Sequence, residues 1–161
     1  RVAKLAALSY VWSTGSASEY RTRLASKLEE VIESAMKCTK QMGFRYLWTD
    51  RHCIDQHLAS KTGVIQNMDQ IYTNASITII DAAGDSAESG LPGPSTIPRL
   101  PSATASVYGK FITLAPNARY AIAVSKSSTR RGTFQEGLLS RRRLVFTKEQ
   151  VYFQRRRTHR C

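Results

Sequence analysis

The sequence predicts an α/β fold that starts as a parallel-stranded, three-layer unit and gains antiparallel strands in its C-terminal half. Three observations carry this. Strand-like and helix-like segments alternate up to Gly84, which implies parallel strands joined by right-handed crossovers. The run "SITIIDAAG" is β-branched and almost uncharged, as a doubly covered strand should be. After residue 106 the apolar residues switch to short alternating runs separated by turn formers.

The elements follow in order. "KLAALSYVW" is a short apolar run rich in strand formers, and the polar "STGSASE" ends it. In "KLEEVIESAMKCTKQMG", Leu28, Val31, Ile32, Ala35, Met36 and Met42 share one helical face, while Glu29, Glu30, Glu33, Lys37 and Lys40 share the other. Acidic residues early, lysines late and Gly43 past the end suit the helix dipole and a glycine stop. "FRYLWTD" reads as a strand ending at Asp50. "GVIQNMDQIYTNA" places Val64, Ile65, Met68, Ile71, Tyr72 and Ala75 at helical spacing, and the strand "SITIIDAAG" follows. Residues 84–106 carry four of the five prolines and no periodicity, so they read as a long loop that is functional or mobile. "VYGKFITLAP" and "RYAIAVSK" read as two strands turned about Pro116-Asn117. Beyond the helical turn "TFQEGLL", "RLVFT" and "QVYFQ" form a hairpin around Lys148-Glu149.

At 161 residues the chain suits one domain, 1–161, with a core that needs no staples. No apolar run approaches the ~20 residues needed to span a membrane. The start, Arg1-Val2-Ala3-Lys4, lacks both an initiator Met and a signal layout, so the chain reads as a domain cut from something longer. Cys38, Cys53 and Cys161 are odd in number and widely spaced, which points to a reducing, intracellular (cytoplasmic) setting. The formal charge is +12, and from Arg130 onward ten Lys/Arg stand against Glu136 and Glu149, leaving +8 there. Such a field attracts phosphates on a nucleotide, a nucleic acid or a membrane surface. The end, 155–161, reads as a solvated basic tail. Without interleaved aromatics on a recognised platform, nucleic acid is an unlikely partner.

In an open α/β sheet, ligands bind beyond the carboxyl ends of the strands. Tyr10, Trp12 and Ser13 follow the first strand, Asp50 follows the second and Asp81 the third. A crevice lined by Trp12 and Asp50 suits an aromatic base and a ribose, although core and capping roles account for the same residues. "DRHCIDQH" offers His52, Cys53 and His57, too few soft ligands in one loop for a structural zinc site, so no metal is expected. Cys53, beside apolar Ile54, reads as a buried structural thiol rather than a nucleophile. No nucleophile elbow, Walker loop or G-x-G-x-x-G occurs. Thr133-Phe134-Gln135-Glu136 fits a capping box, with Glu136 among Arg130, Arg131, Arg141, Arg142 and Arg143.

Several phrases together resemble one family: "ALSYVW", "AMKCTKQMGFRYLWTDRHCIDQ", "MDQIYTNASITIIDAAGDSAESGLPG" and "TFQEGLLSRRRLVFTKEQVYF" are similar to the fungal heterokaryon incompatibility (HET) domain, in its order and spacing. The resemblance implies an intracellular fungal module of non-self recognition, innate immunity and programmed cell death, with a homo-oligomer or other signalling proteins as partners. HET domains are in turn distantly similar to Toll/interleukin-receptor (TIR) domains, which implies a TIR/flavodoxin-like start to the fold. Enzymatic TIR members cleave NAD at the nicotinamide–ribose bond with a Glu, and that position falls on Glu136 of "RRGTFQE". The resemblance therefore implies a candidate NAD glycohydrolase: NAD as substrate, no cofactor, Glu136 catalytic, and Tyr10, Trp12, Ser13, Asp50 and Arg130 binding substrate. Nearby arginines would hold the diphosphate and keep Glu136 ionised. A non-catalytic module acting by self-association is the alternative. The chain departs from the family pattern at Gly132 and near Ser127, where Trp is usual, and at Arg131, where Gly is usual.

Overall fold

The computed structural model describes residues 4–12, 28–54, 61–114 and 116–156. Its main sheet has five strands: β1 (Leu5–Ser9), β2 (Tyr46–Trp48), β3 (Ile77–Asp81), β6 (Arg142–Phe146) and β7 (Val151–Arg155), in the order β2-β1-β3-β6-β7. β1 pairs in parallel with β2 and β3, β3 in parallel with β6, and only β7 runs antiparallel. The sheet is thus parallel well into the C-terminal half, and the antiparallel addition to it is a single edge strand.

Helix α1 (Glu30–Gln41) covers one face. It ends in a Schellman motif: Gly43, at φ +73°, donates to Lys40 O, and Phe44 donates to Thr39 O. Leu8, Ile79 and Phe146 from alternate positions of β1, β3 and β6 pack there against Val31, Ile32 and Ala35. The Pro/Gly/Ser loop joins this core rather than standing free. Ala87 and Leu91 are fully buried, Ala87 O accepts from Val31 N (3.2 Å), and Leu91 N donates to Ser34 Oγ (3.0 Å). Two apolar side chains at the right spacing outweigh the lack of periodicity.

After the turn α2 (Asp50–Cys53) come α3 (Lys61–Gln66) and α4 (Met68–Asn74). The expected single helix is broken at Asn67, whose side-chain amide bonds Gly63 O (2.8 Å). Tyr72 and Ala75 pack with Ala7 on the opposite sheet face, next to Trp48, Met68 and Leu139.

Two expectations after residue 103 fail. "VYGKFITLAP" is not one strand: β4 (Thr104–Val107) and β5 (Lys110–Thr113) form a separate exposed hairpin. Its turn residues Tyr108 and Gly109 both have positive φ, the hairpin-favouring primed geometry. "RYAIAVSK" is not a strand either. Asn117 Oδ1 accepts from Tyr120 N (3.1 Å) and caps α5 (Ala118–Ala123), so the alternation of Tyr120, Ile122 and Val124 carries no burial pattern. Short α6 (Lys126–Thr129) leads to α7 (Arg131–Leu139), then β6 and β7.

Candidate active site

Helix α7 lies on the sheet face that carries Ala7, Ser9 and Thr78. Gly137 is buried against β3, where a Cβ would sit 3.4 Å from Ile80 Cδ1. At its C-terminal end Ser140 Oγ stands 2.7 Å from both Thr78 Oγ1 and the Glu136 carbonyl. Leu139 joins the Ala7–Tyr72 cluster. Glu136, three residues before Leu139 and four before Ser140, shares their inward face. The capping box does not form. The N-cap is Arg130, and Thr133 lies inside the helix, where its hydroxyl bonds the carbonyls of Ser127 and Arg130. Glu136 is therefore free for another role.

That role is fixed by its surroundings. Burial, the largest cause, raises the Glu136 pKa to about 7; the charge of Asp50 adds to this, while hydrogen bonding towards Ser9 and Tyr72 opposes it. Ser9 Oγ is enclosed and makes no hydrogen bond of standard geometry, so it faces the carboxylate as a spare donor. Tyr72 Oη lies 3.2 Å from the Leu8 carbonyl and also faces Glu136. Burial, then the charges of Glu136 and Asp50, push the Tyr72 hydroxyl far above its ordinary range, so it stays protonated. The arginines do not keep Glu136 ionised. None is among the causes acting on its carboxyl: Arg142 lies three residues, about 10 Å, before Val145, which is in register with Ile80 and so with Ser9, and Arg143 reaches back as far as Gly137, where its Nη1 would stand 3.8 Å from a Cβ.

Asp50 closes the second side. Burial raises its pKa to about 6, against backbone hydrogen bonds, the Trp12 indole N–H and the charge of Arg51. Trp12, 36 % exposed, lies under the Arg51 guanidinium, with the charge centre 5.6 Å from the ring centroid. Arg51 Nη1 pairs with Glu29 Oε1 at 2.7 Å, and Tyr10 Oη donates to Glu29 Oε2 at 3.0 Å. Burial and the Glu29 charge hold the Tyr10 hydroxyl in its neutral form.

The structure thus brings Tyr10, Trp12, Asp50 and Glu136 to the carboxyl end of β1 and β2. Ser13 lies outside the described residues. Arg130 stands at the start of α7, six residues or about 9 Å of helix rise from Glu136, and no described hydrogen bond or ion pair ties its side chain to this cluster. Ser9, Tyr72, Glu29 and Arg51 are additional members. A lone hydroxyl ending the apolar "LAALS" was the available signal for Ser9; Tyr72 was hidden by its place on an apolar helical face.

Other groups have structural accounts. Asp81 accepts from Ala83 N (3.1 Å) and Gly84 N (2.9 Å), a side-chain-closed turn, and burial raises its pKa to about 6. Cys53 corrects an expectation: it is exposed, whereas Cys38 and Ile54 are the buried residues. Cys53 lines a groove of ≈ 1040 Å³ between α1 and β2, whose one carboxylate is Glu33. Charged and polar side chains (Glu33, Lys37, Lys40, Arg45, His52) stand among its apolar ones, and neither Glu136, Asp50 nor Trp12 lines it. Among the described residues no three His, Cys, Asp or Glu could hold a metal ion together. No described helix is long and apolar enough to cross a membrane.

The strand order around β1, with β2 on one side and β3 on the other, reverses the winding there, which is where open α/β sheets place ligands. No curated protein and no solved structure matches the chain. A family model, Heterokaryon incompatibility protein (HET), matches residues 5–136, from the first residue of β1 to Glu136 itself. With most of its length so matched, the chain belongs to the heterokaryon incompatibility (HET) family.

Proposed function

We propose that this HET domain is a module of fungal non-self recognition and programmed cell death that acts by hydrolysing NAD to nicotinamide and ADP-ribose. The observation that carries the reading is the position of Glu136: half-buried, facing Ser9 and Tyr72, electrostatically coupled to Asp50, at the carboxyl ends of the strands. Breaking the nicotinamide–ribose bond develops positive charge on the ribose, and the electron pair leaves with the nicotinamide ring, which departs neutral. An ionised Glu136 stabilises that charge, and water then adds to the ribose and gives up a proton. Asp50 orients ribose hydroxyls, Trp12 supplies an aromatic wall, and Arg130 with the free amides of the first turn of α7 meets the diphosphate. The reading places the domain in the cytoplasm, where NAD is available. Nicotinamide release from NAD by the wild-type chain, abolished in Glu136→Ala, is the expected outcome; no release by the wild type even as an oligomer would remove the catalytic reading.

A second reading, a non-catalytic domain acting through self-association, is favoured by the β4–β5 hairpin, which exposes Tyr108, Phe111, Ile112 and Leu114. It predicts that Glu136→Ala retains cell killing while polar substitutions at Phe111 and Ile112 abolish it.

A further inference from the structure

The open end of the β6–β7 hairpin gathers arginines. Arg142 is directly opposite Arg155, and Arg156 N donates to Arg141 O at 2.8 Å, extending the ladder by one pair. Strand alternation puts Arg142 and Arg155 on one face, and Arg141, Arg143 and Arg156 on the other. The five charges fall within three successive residue pairs, about 7 Å of strand, with opposite Cα atoms about 5 Å apart. Arg141, Arg142, Arg155 and Arg156 are exposed, and Arg143 is half-buried beside Gly137. Among the described residues none of the five is in an ion pair. The hairpin's own acid, Glu149, sits at its opposite end beside Thr147.

Like charges directly opposite one another destabilise a strand pair. The hairpin carries two such pairs with no described carboxylate to offset them, and burial together with the neighbouring Arg156 lowers the Arg143 pKa. The unfavourable field is relieved when anionic oxygens enter between the guanidinium forks. The guanidinia stand on both faces at the open end of an edge hairpin, so a framework that carries several phosphates and reaches round that end matches them better than a phosphodiester chain, which spreads its charges along a line. We propose that Arg141, Arg142, Arg143, Arg155 and Arg156 form a site for a multiply phosphorylated group at the open end of the β6–β7 hairpin. Such a group can be a soluble polyphosphorylated molecule or a phosphorylated lipid headgroup.

The test uses the full chain with three probes: inositol hexakisphosphate, phosphatidylcholine vesicles containing phosphatidylinositol bisphosphate, and a single-stranded oligonucleotide. Binding of the soluble probe that raises the melting temperature and weakens with salt is expected if the source is soluble; vesicle co-sedimentation stronger than with plain phosphatidylcholine identifies the lipid source. Arg142→Gln/Arg155→Gln should weaken the bound probe at least about tenfold, as should Arg141→Gln/Arg156→Gln, while unliganded stability is kept or raised because like-charge repulsion is relieved. A purely structural role for these arginines would lower unliganded stability instead. The proposal is overturned by absence of binding to both phosphorylated probes, by tighter binding of the oligonucleotide, or by loss of binding on replacing only Arg157 and Arg160 while both double variants bind normally.

Discussion

Replacing Glu136 by Gln tests the electrostatics around this side chain while keeping its volume, because glutamine mimics the protonated acid. In the folded chain the Glu136 pKa lies near 7, against an ordinary 4.5. A pKa raised by folding means that the native state holds the proton more tightly. The associated stability is fully present below about pH 4.5 and is lost as pH rises through 7. At about 1.4 kcal/mol per pH unit, the gap between 4.5 and 7 costs the wild type about 3 kcal/mol at pH 8 and under about 1 kcal/mol at pH 5. Glu136→Gln should therefore be the more stable protein at pH 8, by about 3 kcal/mol or about 6–12 °C in melting temperature for a chain of this size, with a small gain at pH 5. Urea unfolding of both proteins at the two pH values measures this. A variant no more stable at pH 8, or a gain independent of pH, would refute the claim that Glu136 is a desolvated carboxylate. A structural glutamate would behave in the opposite way, its removal lowering stability.

Asp50→Asn removes the like charge that helps raise the Glu136 pKa, so the pH 8 gains of Asp50→Asn and Glu136→Gln should fall short of additivity by on the order of 1 kcal/mol in a double-mutant cycle. Gly84→Ala places a Cβ against Asp81 Oδ2 inside van der Waals distance, and Asp81 is held by two backbone amides; it should cost about 1–3 kcal/mol in chemical denaturation.

The order of the parallel elements was legible because burial imposes period on sequence. α1 shows its apolar stripe and its glycine stop, and β3 its unbroken β-branched run. What misled was alternation without burial. Tyr120 and Val124 alternate with small residues, yet both are exposed on a short helix begun by the Asn117 cap, and the turn at Tyr108-Gly109 cuts another run in two. The buried segment of the Pro/Gly/Ser loop left no pattern, because two residues, Ala87 and Leu91, suffice to dock it. At the site, Glu136 and Asp50 came from family pattern and strand-end reasoning. Their environment could not be read from the chain: the arginines flanking Glu136 in sequence suggest a lowered pKa, but the fold buries the carboxyl and faces it with Ser9, Tyr72 and Asp50 instead. Gly132 belongs here too. It is exposed, and a Cβ there would meet nothing within 4 Å, so the position of the expected Trp is open space one turn from Glu136.

The most direct test of the central claim is the rate of nicotinamide release from NAD as a function of pH. Working as a carboxylate with a pKa near 7, Glu136 should give kcat/KM an acid limb centred near pH 7, and Glu136→Gln should abolish release at every pH. Release that survives in Glu136→Gln, or an acid limb near the ordinary 4.5, would contradict the assignment of Glu136 as the working group.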